Sequence, residues 1–155
     1  MKPQLILLVG PPLSGKDTYI QKEGFQDFVI ISRDNILMNL ARSNDYSIAF
    51  QEVDQKLVDK ILLREIYQNI EKNNNVLINM TNLTKKVRKR HLMKFEGYEK
   101  TAIVFPKLEI EEYGRRNNKR KVEENKSIPL SVMVSMIDSW EEVSLDEGFD
   151  KIIKI

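Results

Sequence analysis

The sequence predicts an α/β domain with a five-stranded parallel sheet flanked by helices. Short, nearly continuous apolar runs alternate along the chain with longer stretches whose apolar residues recur every three or four positions. Strands that alternate with helices form βαβ units, and such units build parallel sheets. Neither a linker nor an internal repeat divides the 155 residues, so we expect one domain spanning residues 1–155.

Five runs are predicted to be strands. The first four are almost entirely apolar, which is typical of strands that are buried on both faces of a parallel sheet. The fifth alternates more, and we expect it at an edge. In chain order, the runs are Leu5–Val9, Phe28–Ile31, Val76–Met80, Thr101–Phe105 and Lys151–Ile155.

Apolar periodicity predicts the helices between these strands. The longest pattern, from about Phe50 to Lys72, repeats apolar residues in steps of three and four. Thr84 is predicted to cap a helix that ends at about Phe95. Two further helices are predicted at about Leu108–Asn118 and Pro129–Glu142, where the proline suits a first turn.

The most polar connection, Lys119–Ser127, is predicted to be a mobile lid. It lies in a basic segment, because residues 81–126 hold 14 of the 25 Lys and Arg but only 7 of the 23 Asp and Glu. Such an excess suggests a local anionic partner, either a nucleotide or a nucleic-acid strand. Solvated helix faces are the alternative, and we interpret the densest basic run, residues 85–91, in that way.

Composition excludes several kinds of site. The absence of cysteine excludes disulfides, thiolate metal sites and thiol catalysis. A zinc site with several histidines is excluded too, because His91 is the one histidine; we interpret it as a surface or partly buried helix residue. No apolar stretch approaches 18 residues, and no secretion signal is recognised. We therefore expect a cytosolic, cytoplasmic protein without a membrane partner.

The first strand leads directly into a phosphate-binding loop, or P-loop. Gly10 is followed after four residues by Gly15 and Lys16. The glycines let successive backbone N–H groups turn toward phosphate oxygens, and the helix that follows adds its positive end. The lysine can reach the β- and γ-phosphates of a nucleotide. Nucleotide contacts are predicted from Gly10, Pro11, Leu13, Ser14, Gly15, Lys16, Asp17 and Thr18.

Asp17 stands where the P-loop pattern has a Ser or Thr whose hydroxyl binds Mg²⁺. A carboxylate is a hard anionic ligand that Mg²⁺ accepts readily. Asp17 is therefore a candidate metal ligand, directly or through water. The alternative is that it only stabilises the helix N-terminus.

A second carboxylate follows the second strand, in Ser32-Arg33-Asp34. The carboxyl ends of parallel strands meet at one edge of the sheet, so we expect Asp34 beside the P-loop. There it can accept the proton of an attacking hydroxyl. The alternative is that Asp34 caps the helix that begins near Asn35.

Two further elements complete the set of motifs. The third strand ends in Asn79-Met80-Thr81-Asn82, and the predicted helix before the lid leads into the lid through Arg116-Asn117-Asn118-Lys119-Arg120. With the P-loop and Asp34, these elements resemble, over nearly the whole chain, the 5′-hydroxyl polynucleotide kinase family of P-loop phosphotransferases. Both the phage-type and the bacterial RNA-repair kinase domains are similar, and Glu147-Gly148-Phe149 resembles the bacterial form.

The resemblance implies the P-loop kinase fold with strand order 2-3-1-4-5 and a lid of about residues 115–128. It also implies transfer of the γ-phosphoryl group of ATP to a hydroxyl, assisted by Mg²⁺. Lys16 would bind the phosphates, Asp34 would be the general base, and Arg120 would stabilise the transferring group. Arg116 would hold the nucleotide or order the lid. The alternative is that Arg116 and Arg120 are solvated at the polar end of a helix and have no role in the site.

The resemblance further implies that Arg33, Thr81 and Asn82 contact the acceptor. The chain departs from the family at two positions, however. Asn79 occupies the place of an acidic metal ligand, so we hypothesise that Asp17 and Asn79 together form the Mg²⁺ site with their ligand types exchanged. Leu37 replaces an arginine that contacts an acceptor phosphate; the candidates to substitute for that arginine are Arg42 and Lys85.

Together, these features predict an ATP- and Mg²⁺-dependent kinase. We expect its acceptor to be the 5′-hydroxyl end of DNA or RNA. Two alternatives stay open: a kinase for a small molecule such as a nucleoside or nucleotide, which Leu37 favours, and a nucleotide-binding module without catalysis, which Asp17 and Asn79 favour.

Overall fold

A computed structural model of the chain describes residues 1–124 and 126–155. Five parallel strands form one sheet in the order β2-β3-β1-β4-β5, which confirms the predicted fold class and strand order. The strands are β1 (Gln4–Val9), β2 (Phe28–Ile31), β3 (Asn75–Ile78), β4 (Glu99–Val104) and β5 (Lys151–Lys154).

Helices connect the strands and cover the sheet. They are α1 (Lys16–Glu23), α2 (Arg33–Leu40), α3 (Tyr46–Glu52), α4 (Gln55–Glu71), α5 (Lys85–Lys94), α6 (Ile110–Glu124) and α7 (Leu130–Ser139). A short 3-10 turn, Leu145–Glu147, precedes β5. Within the described ranges, no helix has both the length and the apolar character that crossing a bilayer requires.

The core lies on both faces of the sheet. Successive side chains of β1 point to opposite faces, so that Leu5 and Leu7 join the larger apolar cluster while Ile6 and Leu8 join the smaller one. This explains the unbroken apolar run of the central strand. The prediction of full burial is wrong for β2, where only Ile31 is buried, because β2 lies at one edge of the sheet.

The predicted helix from Phe50 to Lys72 is two helices, α3 and α4. Val53 is in extended backbone, and the Asp54 side chain caps α4 by accepting a hydrogen bond of 2.9 Å from the Lys56 N–H. Apolar spacing continues across this break, because both helices bury residues against the same core. The cap at Thr84 is confirmed: its hydroxyl accepts from the Val87 N–H.

The lid region differs from its prediction. Helix α6 continues to Glu124 and includes the first part of the stretch that we expected to be a connection. Residue 125, within the predicted lid, lies outside the described residues. Pro129 precedes α7 as its N-cap instead of lying in the first turn.

The interpretation of residues 85–91 as a solvated face is wrong for Arg88 and His91. The Arg88 side chain is completely buried and forms two hydrogen bonds with the Glu147 carboxylate, of 2.8 and 3.2 Å. It also donates to the carbonyls of Asn82 and Leu83. Arg88 therefore joins α5 to the chain after β3 and to the turn before β5.

We expect Glu147→Gln to destabilise the protein by about 3 kcal/mol, because it leaves the buried Arg88 guanidinium without its carboxylate. Urea unfolding measures the loss. The control is Lys154→Gln in the exposed Lys154–Glu142 pair, which should cost less than about 1 kcal/mol. Equal losses in the two variants would contradict this account of Arg88.

Acid should destabilise the protein through His91. Burial, followed by the charges of Lys94 and Arg90, lowers the pKa of His91 from 6.5 to about 4. The unfolded chain therefore binds the proton first, and the contribution of neutral His91 is complete above pH 6.5 and lost as the pH falls toward 4.

This loss amounts to at most about 3 kcal/mol. Unfolding curves at pH 7 and pH 4.5 measure it as the difference between the wild type and His91→Gln, since other groups titrate alike in both. We expect the variant to lose less stability on acidification. A loss as large as in the wild type would refute the assignment to His91.

Candidate active site

The P-loop joins β1 to α1, and its two glycines are required for different reasons. At Gly10, a Cβ atom would lie 3.0 Å from Ser14 Oγ and 3.1 Å from the Cβ of Phe105, so there is no room for a side chain. Gly15 has open space around it but a φ of 92°, which a side chain would strain. Leu13 also has a positive φ, of 71°. The backbone of the loop therefore turns tightly.

Lys16 lies at the centre of this loop. Its Nζ donates hydrogen bonds to the carbonyls of Gly10, at 2.7 Å, and of Pro11, at 3.0 Å. Burial lowers the pKa of Lys16 to about 8, against the opposing charges of Asp17 and Asp34. Because burial disfavours its charged form, an anion bound at the loop would stabilise that form.

Only some of the P-loop residues that we predicted to contact the nucleotide line the cleft beside the loop. Leu13, Gly15, Lys16, Asp17 and Thr18 line it, together with Pro12, which was not predicted. Gly10, Pro11 and Ser14 are buried and do not line it. The Ser14 hydroxyl donates to the Pro11 carbonyl at 2.7 Å, so that side chain holds the loop in shape.

The two candidate metal ligands are in direct contact. Asn79, just after β3, donates from Nδ2 to Asp17 Oδ1 at 2.8 Å. Both line the cleft beside Lys16. Carboxylate and amide oxygens are the ligands that Mg²⁺ prefers, so the pair fits this ion chemically. Over residues 1–124 and 126–155, no cluster of three or more His, Cys, Asp or Glu side chains is arranged to hold a metal.

Asp34 lies in the first turn of α2 but does not cap it. The cap is Ser32, whose hydroxyl accepts from the Asn35 N–H at 3.3 Å. The alternative role predicted for Asp34 as an N-cap is therefore wrong. Instead, Asp34 Oδ1 accepts a hydrogen bond of 2.9 Å from the Tyr46 hydroxyl. Burial and then the Asp34 charge raise the pKa of Tyr46, so the hydroxyl keeps its proton and acts as the donor.

Two residues that we expected to contact the acceptor are engaged elsewhere. Asn82 is 1% exposed, and its Nδ2 donates to the Leu8 carbonyl at 2.8 Å, so its assignment to the acceptor is wrong. Arg33 lines the cleft but donates to Asp59 and to the side chain of Gln55 in α4. Thr81 lines the cleft, and its contact with the acceptor stays a prediction.

The lid reaches the P-loop through Arg116. Its guanidinium donates to the Leu13 carbonyl at 2.9 Å and to Glu112, also at 2.9 Å. Hydrogen bonds from Arg115 and Arg116 hold the pKa of Glu112 at about 2. Arg120 lines the same cleft as Lys16. These two lid arginines, 116 and 120, are therefore part of the cleft and not a solvated helix end.

Positive charge in the cleft comes mainly from the lid. Leu37 is fully buried, and neither proposed substitute, Arg42 or Lys85, lines the cleft. The cleft has a volume of about 590 Å³, and of the residues that the structure describes, seven basic side chains line it against four acidic ones. The basic residues are Lys16, Arg33, Arg115, Arg116, Lys119, Arg120 and Lys126; the acidic ones are Asp17, Asp34, Glu123 and Glu124.

Sequence reasoning missed Tyr46 and Lys126. The Lys126 ammonium lies 5.7 Å from the centre of the Tyr46 ring, which brings the far end of the lid against α3. Nothing in the sequence near Tyr46 marks it for the site, because its contacts with Asp34 and Lys126 span 12 and 80 positions. These are tertiary contacts that no local motif records.

The structure resembles known proteins that share this loop and sheet. A chain of the Pnkp1/Rnl/Hen1 RNA repair complex is 25% identical with a TM-score of 0.72, over 89% of this chain and 44% of that chain. The present chain thus spans less than half of that protein, and the likeness confirms the resemblance found in the motifs.

Two other structures, at lower identity, show the fold alone. A gluconokinase from Sinorhizobium meliloti 1021 is 13% identical with a TM-score of 0.55, over 99% of this chain and 82% of that one. Kti12 of Chaetomium thermophilum in complex with ADP-AlF3 is 14% identical with a TM-score of 0.61, over 97% and 88%.

The family is established by a sequence model described as an AAA domain, which matches residues 5–143. Those residues include the P-loop, Asp34, the end of β3 and the lid. Since the match covers most of its length, the chain belongs to the AAA domain family of P-loop proteins.

Proposed function

We propose that the protein is an ATP-dependent kinase that transfers the γ-phosphoryl group to the 5′-hydroxyl end of a nucleic acid. The observation that carries this proposal is that Lys16, Asp34 and Arg120 line the same cleft. A phosphate-binding cation, a carboxylate and a lid arginine thus meet at one cleft. Phosphoryl transfer needs such positioning and charge neutralisation more than covalent catalysis.

Each of the three residues has a defined part in the proposed reaction. Lys16 holds the β- and γ-phosphates, and Arg120 neutralises charge on the transferring group. Asp34 accepts the proton as the acceptor oxygen bonds to phosphorus and the bond to ADP breaks. Arg116 holds the lid to the loop through Leu13. Residues 1–155 act as one domain in this proposal, with residues 115–128 as the lid.

Mg²⁺ bound with ATP supplies further neutralisation of the phosphates. Asp17 and Asn79 are the residues that would hold it. Their direct contact supports the hypothesis that this site has exchanged its ligand types, with the carboxylate on α1 and the neutral group after β3.

A nucleic-acid acceptor is supported by the excess of basic side chains in the cleft and by the likeness to a chain of an RNA repair complex. A small-molecule kinase is the second candidate. Burial of Leu37 favours it, because that position offers no cation to an acceptor phosphate. A nucleotide-binding module without catalysis is the third.

Transfer of label from γ-labelled ATP with Mg²⁺ tests the proposal. The acceptors are 5′-hydroxyl RNA and DNA oligonucleotides beside a panel of nucleosides and nucleotides. We expect labelled oligonucleotides, with a KM for the oligonucleotide that rises steeply with salt. Asp34→Asn should lower kcat by about 100-fold or more at unchanged ATP affinity, whereas Lys16→Ala should weaken ATP binding itself.

Asp27→Asn is the matched control, since it removes an exposed carboxylate outside the cleft; its rate should equal that of the wild type. Label on small acceptors alone, without salt dependence, would move the protein to the second candidate. ATP binding without any transfer would favour the third.

A double substitution tests the exchanged metal ligands. Asp17→Ser should weaken Mg²⁺-dependent ATP binding, because it removes the carboxylate from the site. Adding Asn79→Asp restores one carboxylate and one neutral group, so we expect the double variant to recover about tenfold over Asp17→Ser. Calorimetry of ATP binding with and without Mg²⁺ measures the recovery, and label transfer gives a second readout. Equal defects in the single and double variants would refute the exchange.

A further inference from the structure

The Asp34 side chain is exposed, yet a hydrogen bond from a residue of α3 holds it in place. Its carboxylate lies in the first turn of α2, where a short side chain can rotate among several orientations. Among the described residues, the Tyr46 hydroxyl is the hydrogen-bond partner of this side chain, at 2.9 Å from Oδ1. Tyr46 belongs to α3, outside every motif considered above.

Tyr46 is itself fixed in place. It is half-buried at the first position of α3, a helix that the Asp45 side chain caps by accepting from the Ile48 N–H. The ring lies 6.2 Å from that of Phe50, one turn further along α3. On the lid side, the Lys126 ammonium lies 5.7 Å from the ring centre. A phenol held at these points presents its hydroxyl in one direction.

We propose that Tyr46 is a positioning residue for the general base: its hydroxyl binds Asp34 Oδ1 and so turns the other carboxylate oxygen, Oδ2, toward the acceptor hydroxyl. The proposal rests on the proposed kinase function. It deepens that function by adding a residue that acts on the reaction only through Asp34.

The proton inventory is consistent with this role. The raised pKa of Tyr46 keeps its phenol protonated, so it donates to Asp34 and does not compete as a base. During transfer, the acceptor proton moves to the free oxygen of Asp34 while the acceptor oxygen bonds to phosphorus and ADP leaves. Tyr46 keeps its own proton throughout. Holding a catalytic group in its reactive orientation lowers the barrier without changing the chemistry.

A double-mutant cycle tests the proposal in the full chain. Tyr46→Phe removes the hydroxyl and keeps the ring against Phe50 and Lys126. We expect it to lower kcat about tenfold at unchanged KM for ATP, since the carboxylate then samples unproductive orientations. In the Asp34→Asn background, the same change should have no further effect, because the hydroxyl acts only through the carboxylate.

Tyr67→Phe is the matched control. Tyr67 is 55% exposed on α4, so loss of its hydroxyl should leave kcat unchanged. If Tyr46 only stabilised the fold, Tyr46→Phe would lower the rate by the same factor in the wild-type background and in the Asp34→Asn background. That result would overturn the proposal, as would an unchanged kcat in Tyr46→Phe alone.

A second readout does not need activity. The ¹³C resonance of the Asp34 carboxyl, assigned by its loss in Asp34→Asn, should move in Tyr46→Phe and stay in place in Tyr67→Phe. An Asp34 carboxyl resonance whose chemical shift does not change in Tyr46→Phe would overturn the proposal even in an active enzyme. A wild-type chain that labels no acceptor would refute the proposed function, and the resonance would then separately decide whether Tyr46 holds Asp34.

Discussion

The hydrogen bonds made by residues 79–82 hold the candidate site together. The Asn79 N–H donates to the Ile31 carbonyl of β2 at 2.8 Å, and the Thr81 carbonyl accepts from the Gly10 N–H at 3.0 Å. The buried Asn82 side chain adds a bond to the Leu8 carbonyl of β1. This short segment therefore joins the carboxyl ends of β2 and β1 beyond the regular ladder. The P-loop and the turn that carries Asp34 are brought to the same edge as a consequence.

The cations of this edge are held in place by groups around the cleft. Glu112 holds Arg115 and Arg116, while Asp59 holds Arg33. Lys16 is held by hydrogen bonds to two loop carbonyls, while burial lowers its pKa to about 8. Positive groups fixed in advance near one cleft need little reorganisation to meet an anion, and such preorganisation is the main electrostatic contribution to phosphoryl transfer. The cleft is thus suited to an anionic ligand before one binds.

Local signals in the sequence were sufficient for the strands and for the P-loop, whereas the strand order followed from the family resemblance. Continuous apolar runs identified the strands, and the spacing from Gly10 to Lys16 identified the loop, because both depend on residues close together in the chain. Such local signals could not predict contacts between residues that are far apart in the chain. Asn82 looked like an acceptor ligand but is buried, and Arg88 looked solvated but pairs with Glu147, 59 positions away. The break at Asp54 was missed because the apolar spacing continues through it.

The burial of Arg88 removes the centre of the densest basic run from the surface that an anionic partner could contact. The run at 85–91 is the densest basic stretch of the sequence, and we interpreted it as a solvated helix face. Yet its central arginine supports the Asn82 carbonyl beneath the cleft, and no residue of this run lines the cleft. The lid instead contributes five of the seven basic side chains there. Since the lid also contacts Tyr46 through Lys126, the proposed recognition of the acceptor and the proposed orientation of Asp34 both involve the lid.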